Sequence, residues 1–299
     1  MEGRWPKSVL TYNDIPIRKT DRDRSYITVI PRYAASAILK KEVSHYSDLV
    51  RLVAELSSVN GVYDLYYRGQ TKDYQVEEKK SRSKLQPTLW RDSNFTRKNI
   101  EVLNYAAMRL RSVARDCYGC HLLSKNELRE LENDPLACWA LLQHYDICPT
   151  PLLDITKSLQ VACSFALYES QEEFGYVYVL AFPYLTQKIT INWPSNVAIM
   201  RLQSIAPIIA SRPIFQDGYL ATCGDWWRLL QPDNYPFKRS WNFDFYKRLL
   251  CKFKIRNSPD FWDLDSVKSL ETDLFPDNDI FNHWADSVSQ MISPITPAL

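Results

Sequence analysis

Gly175-Tyr176-Val177-Tyr178-Val179-Leu180-Ala181-Phe182 is an uncharged run of aromatic and β-branched residues, the strongest strand signal in the chain. A strand of this kind must be built into a sheet and covered, and the flanking sequence supplies the cover. In Ser47–Leu56 the apolar residues Leu49, Leu52, Val53 and Leu56 make the i, i+3, i+4, i+7 stripe of an amphipathic helix that Ser47 can cap. Val62–Gln70, after Asn60-Gly61, reads as a strand carrying Arg68 near its end. A helix is expected from about Arg97 to Arg115. Ser124-Lys125-Asn126-Glu127 fits a capping box, and Asp134-Pro135 opens a further helix to about Tyr145.

Pro149-Thr150-Pro151 interrupts the chain before the short extended Leu152-Leu153-Asp154-Ile155. Thr156 is then expected to cap a helix whose apolar side holds Val161, Ala162, Phe165 and Ala166. Ile189–Trp193 is a weaker strand, and others are expected flanking Gln216 and over Lys252–Ile255. A helix from Trp262 to about Glu271 and a short terminal one bearing Phe281, Trp284 and Ala285 complete the set. Residues 77–84 read as a solvated loop, and residues 1–42 as an arm with one strand at Tyr26–Ile30. With no repeat and no Gly/Ser-rich linker, the pattern predicts an α+β fold, a single domain with a central mixed sheet and flanking helices.

The 299 residues are 45% hydrophobic and 24% charged, a composition that favours an ordinary globular chain over a disordered or membrane one. The 37 basic and 35 acidic side chains leave a net charge of +2, too little for a field that gathers nucleic acid. Neither a leader-like apolar run nor a stretch of about 18 apolar residues occurs, so the expected place is the cytoplasm, away from membranes. Seven scattered cysteines suit reduced thiols. Cys117-Tyr118-Gly119-Cys120-His121 has the form of a haem-attachment motif, but that chemistry belongs to exported chains. A zinc site would need a second ligand pair with suitable spacing. Neither metal nor haem is expected.

Tyr67-Arg68-Gly69-Gln70 is followed in order by Leu85-Gln86-Pro87-Thr88-Leu89-Trp90-Arg91, Leu142-Gln143-His144-Tyr145-Asp146 and Thr150-Pro151-Leu152-Leu153-Asp154-Ile155-Thr156. Later come Arg212-Pro213-Ile214-Phe215-Gln216-Asp217-Gly218-Tyr219 and Leu274-Phe275-Pro276-Asp277. Together these resemble the FRG domain family, named for its aromatic-Arg-Gly motif, over about residues 43 to 287. Pro151, Ile155 and Asp217 depart from the residues more usual there. FRG proteins resemble compact accessory proteins of bacteria and phages.

The order of these polar turns is similar in outline to the three-part site of ADP-ribosyltransferases, and that resemblance implies NAD as a substrate. Arg68, with Gly69 and Gln70 beside it, would grip phosphate through its planar donors, and Thr156 would supply a neutral hydroxyl. Gln216 stands where those enzymes place a late Glu; it can hydrogen-bond a ribose hydroxyl but carries no charge. Asp154 would then provide the carboxylate, with His144 as a partner that titrates near neutral pH. Plainer roles exist for each: Arg68 and Asp154 as an ion pair, His144 as a helix-terminal histidine, Thr156 as a cap. Two readings stay open, an NAD-consuming or ADP-ribosyl-transferring enzyme, and an inactive module that senses a nucleotide-like molecule or binds a protein.

Overall fold

The computed structural model describes residues 16–18, 27–29, 42–59, 63–76, 79–91, 96–193, 196–230, 245–265 and 267–295. The strands are β1 (Pro16–Arg18), β2 (Ile27–Val29), β3 (Glu42–Val43), β4 (Asp64–Gln70), β5 (Gln75–Val76), β6 (Lys79–Ser83), β7 (Leu153–Thr156), β8 (Phe174–Phe182), β9 (Ile189–Asn192), β10 (Val197–Arg201), β11 (Gly218–Cys223) and β12 (Leu249–Arg256). The helices are α1 (Tyr46–Val59), α2 (Arg97–Gly119), α3 (Lys125–Asn133), α4 (Pro135–His144), α5 (Leu159–Leu167), the four-residue α6 (Leu202–Ile205) and α7 (Arg212–Phe215), and α8 (Phe281–Ile292). The fold is α+β with a mixed sheet, as the sequence pattern predicts. The chain forms two compact units, Met1–Leu85 with Ile155–Leu185 and Phe245–Leu274, and Gln86–Asp154 with Thr186–Asp244 and Phe275–Leu299.

In the first unit the strands run in the order β3-β12-β8-β4-β7, with β3 parallel to β12 and the other pairs antiparallel. Side chains alternate across the pleat. Tyr67, Val177, Val179, Cys251, Phe253 and Ile255 bury one face in a core shared with α1 and α5. Helix α5 lies unusually close to the sheet, because a Cβ on Gly69 would sit 1.8 Å from the carbonyl oxygen of Ala162, and one on Gly175 2.2 Å from that of Ala166. The glycine of the Tyr67-Arg68-Gly69 motif is therefore a packing requirement, and Ala162 and Ala166, one turn apart, are its counterparts on the helix.

On the opposite face, Arg68 is in register with Tyr178, and Tyr178 with Lys252. Asp73 gathers this face: it accepts hydrogen bonds from Ser83 Oγ (2.7 Å), the Tyr178 hydroxyl (2.9 Å), Gln75 Nε2 (3.1 Å) and Lys252 Nζ (2.6 Å). Burial raises its pKa, but the bonds from Lys252, Ser83 and Gln75 outweigh it and hold the carboxyl below its ordinary 3.8. A carboxyl lowered by folding adds stability above its unfolded pKa, and that contribution is lost as pH falls through the folded value. Asp73→Asn should therefore cost about 2 kcal/mol at pH 7, and the gap from wild type in urea titrations should shrink below about pH 4. A gap constant down to pH 3 would remove Asp73 from this role.

The second unit pairs β11-β10-β9 antiparallel and packs α2, α3, α4 and α8 around a core that includes Leu103, Leu110, Trp139, Leu141, Leu220, Phe281 and Trp284. The expected caps form: Ser124 and Glu127 make the reciprocal box of α3, and Asp134 accepts from Leu136 N at 2.8 Å ahead of α4. All of Leu136–His144 is buried, so α4 is the central helix of this unit. Each large apolar side chain buried there contributes about 1.5–3 kcal/mol.

Several expectations are corrected. Lys79–Ser83 is strand β6, paired with β5, where a solvated loop was expected; Glu77 and Glu78 lie outside the described residues. Within the arm, β2 matches the expected strand and pairs with β1, and the remainder of residues 1–41 lies outside the described residues. Helix α1 opens at Tyr46, so Ser47 is not its cap; the Ser47 amide is held instead by the Asp263 carboxylate at 2.9 Å. No helix forms over the described part of 262–271, because that backbone bonds to side chains of α5. The Lys268 carbonyl accepts from Gln160 Nε2 at 2.8 Å, and the Leu270 amide donates to Ser164 Oγ at 2.9 Å.

Candidate functional site

Helix α4 ends in Gln143 and His144, two polar residues buried at the close of an otherwise apolar helix. Burial obliges them to find partners. Gln143 Oε1 accepts from Thr150 Oγ1 (2.6 Å) and Thr88 Oγ1 (3.1 Å), and Thr88 Oγ1 in turn accepts from the Thr150 amide (3.1 Å). With its oxygen so occupied, Gln143 turns Nε2 toward Asp154 Oδ2, to which it donates at 2.9 Å. The other carboxylate oxygen lies 3.6 Å from His144 Nδ1, an ion-pair contact slightly longer than a hydrogen bond. His144 is 4% exposed, whereas the Asp154 side chain is 40% exposed. His144 Nε2 is buried without a hydrogen-bond partner among the described residues. The result is a buried imidazole backing a carboxylate that solvent reaches.

The chain reversal after α4 crowds this end further. Asp146 N bonds to the Gln143 carbonyl (3.1 Å) and Ile147 N to the Leu142 carbonyl (2.9 Å), the paired bonds of a Schellman ending, with Asp146 at φ 52 where glycine is usual. Gly218, which opens β11, lies against the same ring: its added Cβ would be 3.3 Å from His144 Cε1 and 3.6 Å from the Pro213 carbonyl oxygen. Arg212 donates to Asp146 Oδ2 at 3.2 Å and stacks over Tyr145 (5.4 Å) and Phe275 (4.5 Å). Tyr145 OH donates to Asp279 Oδ2 at 2.7 Å, and that oxygen also accepts the Arg212 amide at 2.8 Å.

Of the residues singled out by sequence, the second unit brings His144 and Asp154 together. Gln216 belongs to that unit, buried two residues before Gly218, but it caps the end of α7 and is not in a strand. Strand alternation therefore says nothing about how it and Asp217 point; Asp217 turns the chain at φ 39. Arg68, Gly69, Gln70 and Thr156 belong to the first unit, where Tyr67 and Thr156 are in register on β4 and β7. Alternation puts Thr156 on the α5 side with Tyr67 and Gly69, and Arg68 on the other. Thr156 is not the cap of α5; Ser158 Oγ accepts from Val161 N, and Thr156 Oγ1 accepts from Ser158 N at 3.0 Å. Sequence reasoning missed Gln143, Thr88, Thr150, Asp146 and Arg212. The signal for Gln143 was its place at the end of the apolar run Ala137–Leu142, where a polar side chain has to be satisfied internally.

The end of α4 thus places a solvent-reached carboxylate against a buried imidazole on an α+β scaffold. Residues 63–174 match the family model of the FRG domain. The match begins just ahead of β4, ends at the first residue of β8, and includes Arg68, His144, Asp154 and Thr156; Gln216 and Arg212 lie beyond it. No match was found among curated proteins or among solved structures. Among the described residues no helix is long and apolar enough to cross a membrane.

Proposed function

We propose that this FRG domain protein is an enzyme that consumes NAD, transferring ADP-ribose to an acceptor or to water, with the His144–Asp154 pair as its acid–base element. The observation that carries the reading is the pair itself: a half-exposed carboxylate against a buried imidazole whose second nitrogen has no hydrogen-bond partner among the described residues. A histidine kept for structure alone would be expected to satisfy both nitrogens, since an unbonded buried polar atom costs about 1–3 kcal/mol. Asp154 is the member that meets substrate. Its charge favours the oxocarbenium-like sugar formed as the bond from ribose to nicotinamide breaks, and it can accept a proton from the incoming hydroxyl. His144, behind it, holds the carboxylate in position. The sequence resemblance further assigns Arg68 to the pyrophosphate, a role its planar donors suit.

The test is to incubate purified protein with NAD and follow free nicotinamide and protein mass together. Nicotinamide release that falls in Arg68→Ala, with the variant folded, supports the reading. NAD that stabilises the fold without being cleaved would make the protein a nucleotide-sensing module. An absence of both release and binding would overturn NAD as the ligand.

A further inference from the structure

The side chains that meet at the end of α4 fix one another's hydrogens, starting from the backbone. The Leu152 amide donates to Thr150 Oγ1 at 3.2 Å, and the Thr150 amide to Thr88 Oγ1 at 3.1 Å. An amide N–H can only donate, so each hydroxyl oxygen is an acceptor there and its own proton is given elsewhere. Thr150 gives its proton to Gln143 Oε1 at 2.6 Å. Thr88 gives its proton to the same oxygen at 3.1 Å, a closer contact than the 3.4 Å to the Thr150 carbonyl. Two hydroxyl protons converging on one end of the Gln143 amide require that end to be the oxygen, since an NH2 group would meet them with hydrogens of its own. The other end is therefore Nε2, and it donates to Asp154 Oδ2 at 2.9 Å.

Fastening the loop to the helix needs only the first half of this arrangement, because the Gln143 oxygen alone ties Thr88 and Thr150 to the end of α4. The second half commits a buried donor to a side chain that is 40% exposed and within reach of water. Gln143 and Thr150 are themselves buried, so the amide is held in one orientation. Its 2.9 Å bond is a firmer hold on Asp154 than the 3.6 Å contact from His144 Nδ1, which exceeds hydrogen-bond length. A donor on Oδ2 also steadies negative charge there, which leaves Oδ1 the more basic oxygen of the carboxylate.

Resting on the NAD-consuming reading above, we infer that Gln143 is a positioning residue: it fixes the plane of the Asp154 carboxylate and makes Oδ1 the reacting oxygen, while Thr88 and Thr150 set the direction of its amide. The acceptor hydroxyl then gives its proton to Oδ1 as its oxygen bonds to the anomeric carbon, and nicotinamide leaves with the electron pair of the broken bond. Gln143 touches neither the substrate nor that proton. It acts through Asp154, by removing rotations of the carboxylate that would point Oδ1 away from the reacting hydroxyl.

The experiment compares wild type with Gln143→Glu, which has the same shape and keeps an oxygen for both hydroxyls but turns the donor facing Asp154 into an acceptor. Steady-state NAD turnover and the NMR titration of the Asp154 carboxyl carbon are measured on both. Gln143→Glu should lower kcat by about tenfold to a hundredfold, the effect of misplacing a reacting group by about 1 Å, and leave the KM for NAD within about twofold. Asp154 should titrate at higher pH in that variant, because it loses a donor and gains a neighbouring carboxylate. His144 and Asp146, whose charges also reach Asp154, are the same in both proteins. Should the added charge unfold the chain, Thr150→Val carries the test: it should lower kcat, and Thr150→Ser, which keeps the hydroxyl, should restore it. A kcat within about threefold of wild type in a folded variant, a loss expressed in KM alone, or an unmoved Asp154 titration would each overturn the inference. A raised Asp154 titration in a protein that does not cleave NAD would keep Gln143 as the residue that orients Asp154 and discard the NAD-consuming enzyme.

Discussion

Gly69→Ala is expected to lower the unfolding free energy by about 3 kcal/mol or more, measured by urea denaturation. The new methyl would stand 1.8 Å from the Ala162 carbonyl oxygen and 2.7 Å from the Ala166 amide nitrogen, both backbone atoms of α5. A flexible side chain could swing away, but backbone cannot move without lifting the helix from the sheet. Lifting α5 would open the core in which Ala162, Cys163 and Ala166 pack with Val177, Val179 and Phe253. Gly119 provides the control, since nothing lies within 4 Å of its added Cβ and it closes a long helix. Gly119→Ala should be neutral or add up to about 1 kcal/mol. A loss below about 1 kcal/mol for Gly69→Ala would show that the close approach is not rigid.

Asp154→Asn should remove about 10²- to 10⁴-fold of the NAD turnover rate while keeping the fold. Asparagine retains an oxygen for Gln143 Nε2, so the network through Thr150 and Thr88 has its acceptor. What it loses is the charge that favours a cationic sugar and the basic oxygen that faces His144 Nδ1. His144→Asn separates positioning from catalysis: it should lower turnover less than Asp154→Asn does and leave the KM for NAD unchanged, because His144 acts through Asp154. Asp154→Asn retaining more than a third of wild-type turnover, at an unchanged melting temperature, would move the chemistry elsewhere.

The site was legible in part because some of its demands are local. Gln143 and His144 end an apolar helix whose cap and first-turn proline are written at Asp134-Pro135. The polar turn at Asp154 follows two prolines that end one element and start another. The helix expected at 262–271 failed for the opposite reason: its periodicity is adequate, but Gln160 and Ser164 of α5 take its backbone groups. The same limit hid the role of Ser47, whose partner Asp263 lies 216 residues away along the chain.

By itself the sequence determined the α+β class, the strand at 175–182, the capped helices α3 and α4 and the FRG motif, because propensity, capping and alternation act between residues a few positions apart. Only the tertiary structure decided that Gly69 is a glycine for the sake of Ala162, that Gln143 aims Asp154, and that Arg212 pins Asp146 in a left-handed turn. Each of those depends on which distant backbone or side-chain atom comes within about 3 Å. Such distances are fixed by packing of whole elements, and no local pattern of residue types encodes them.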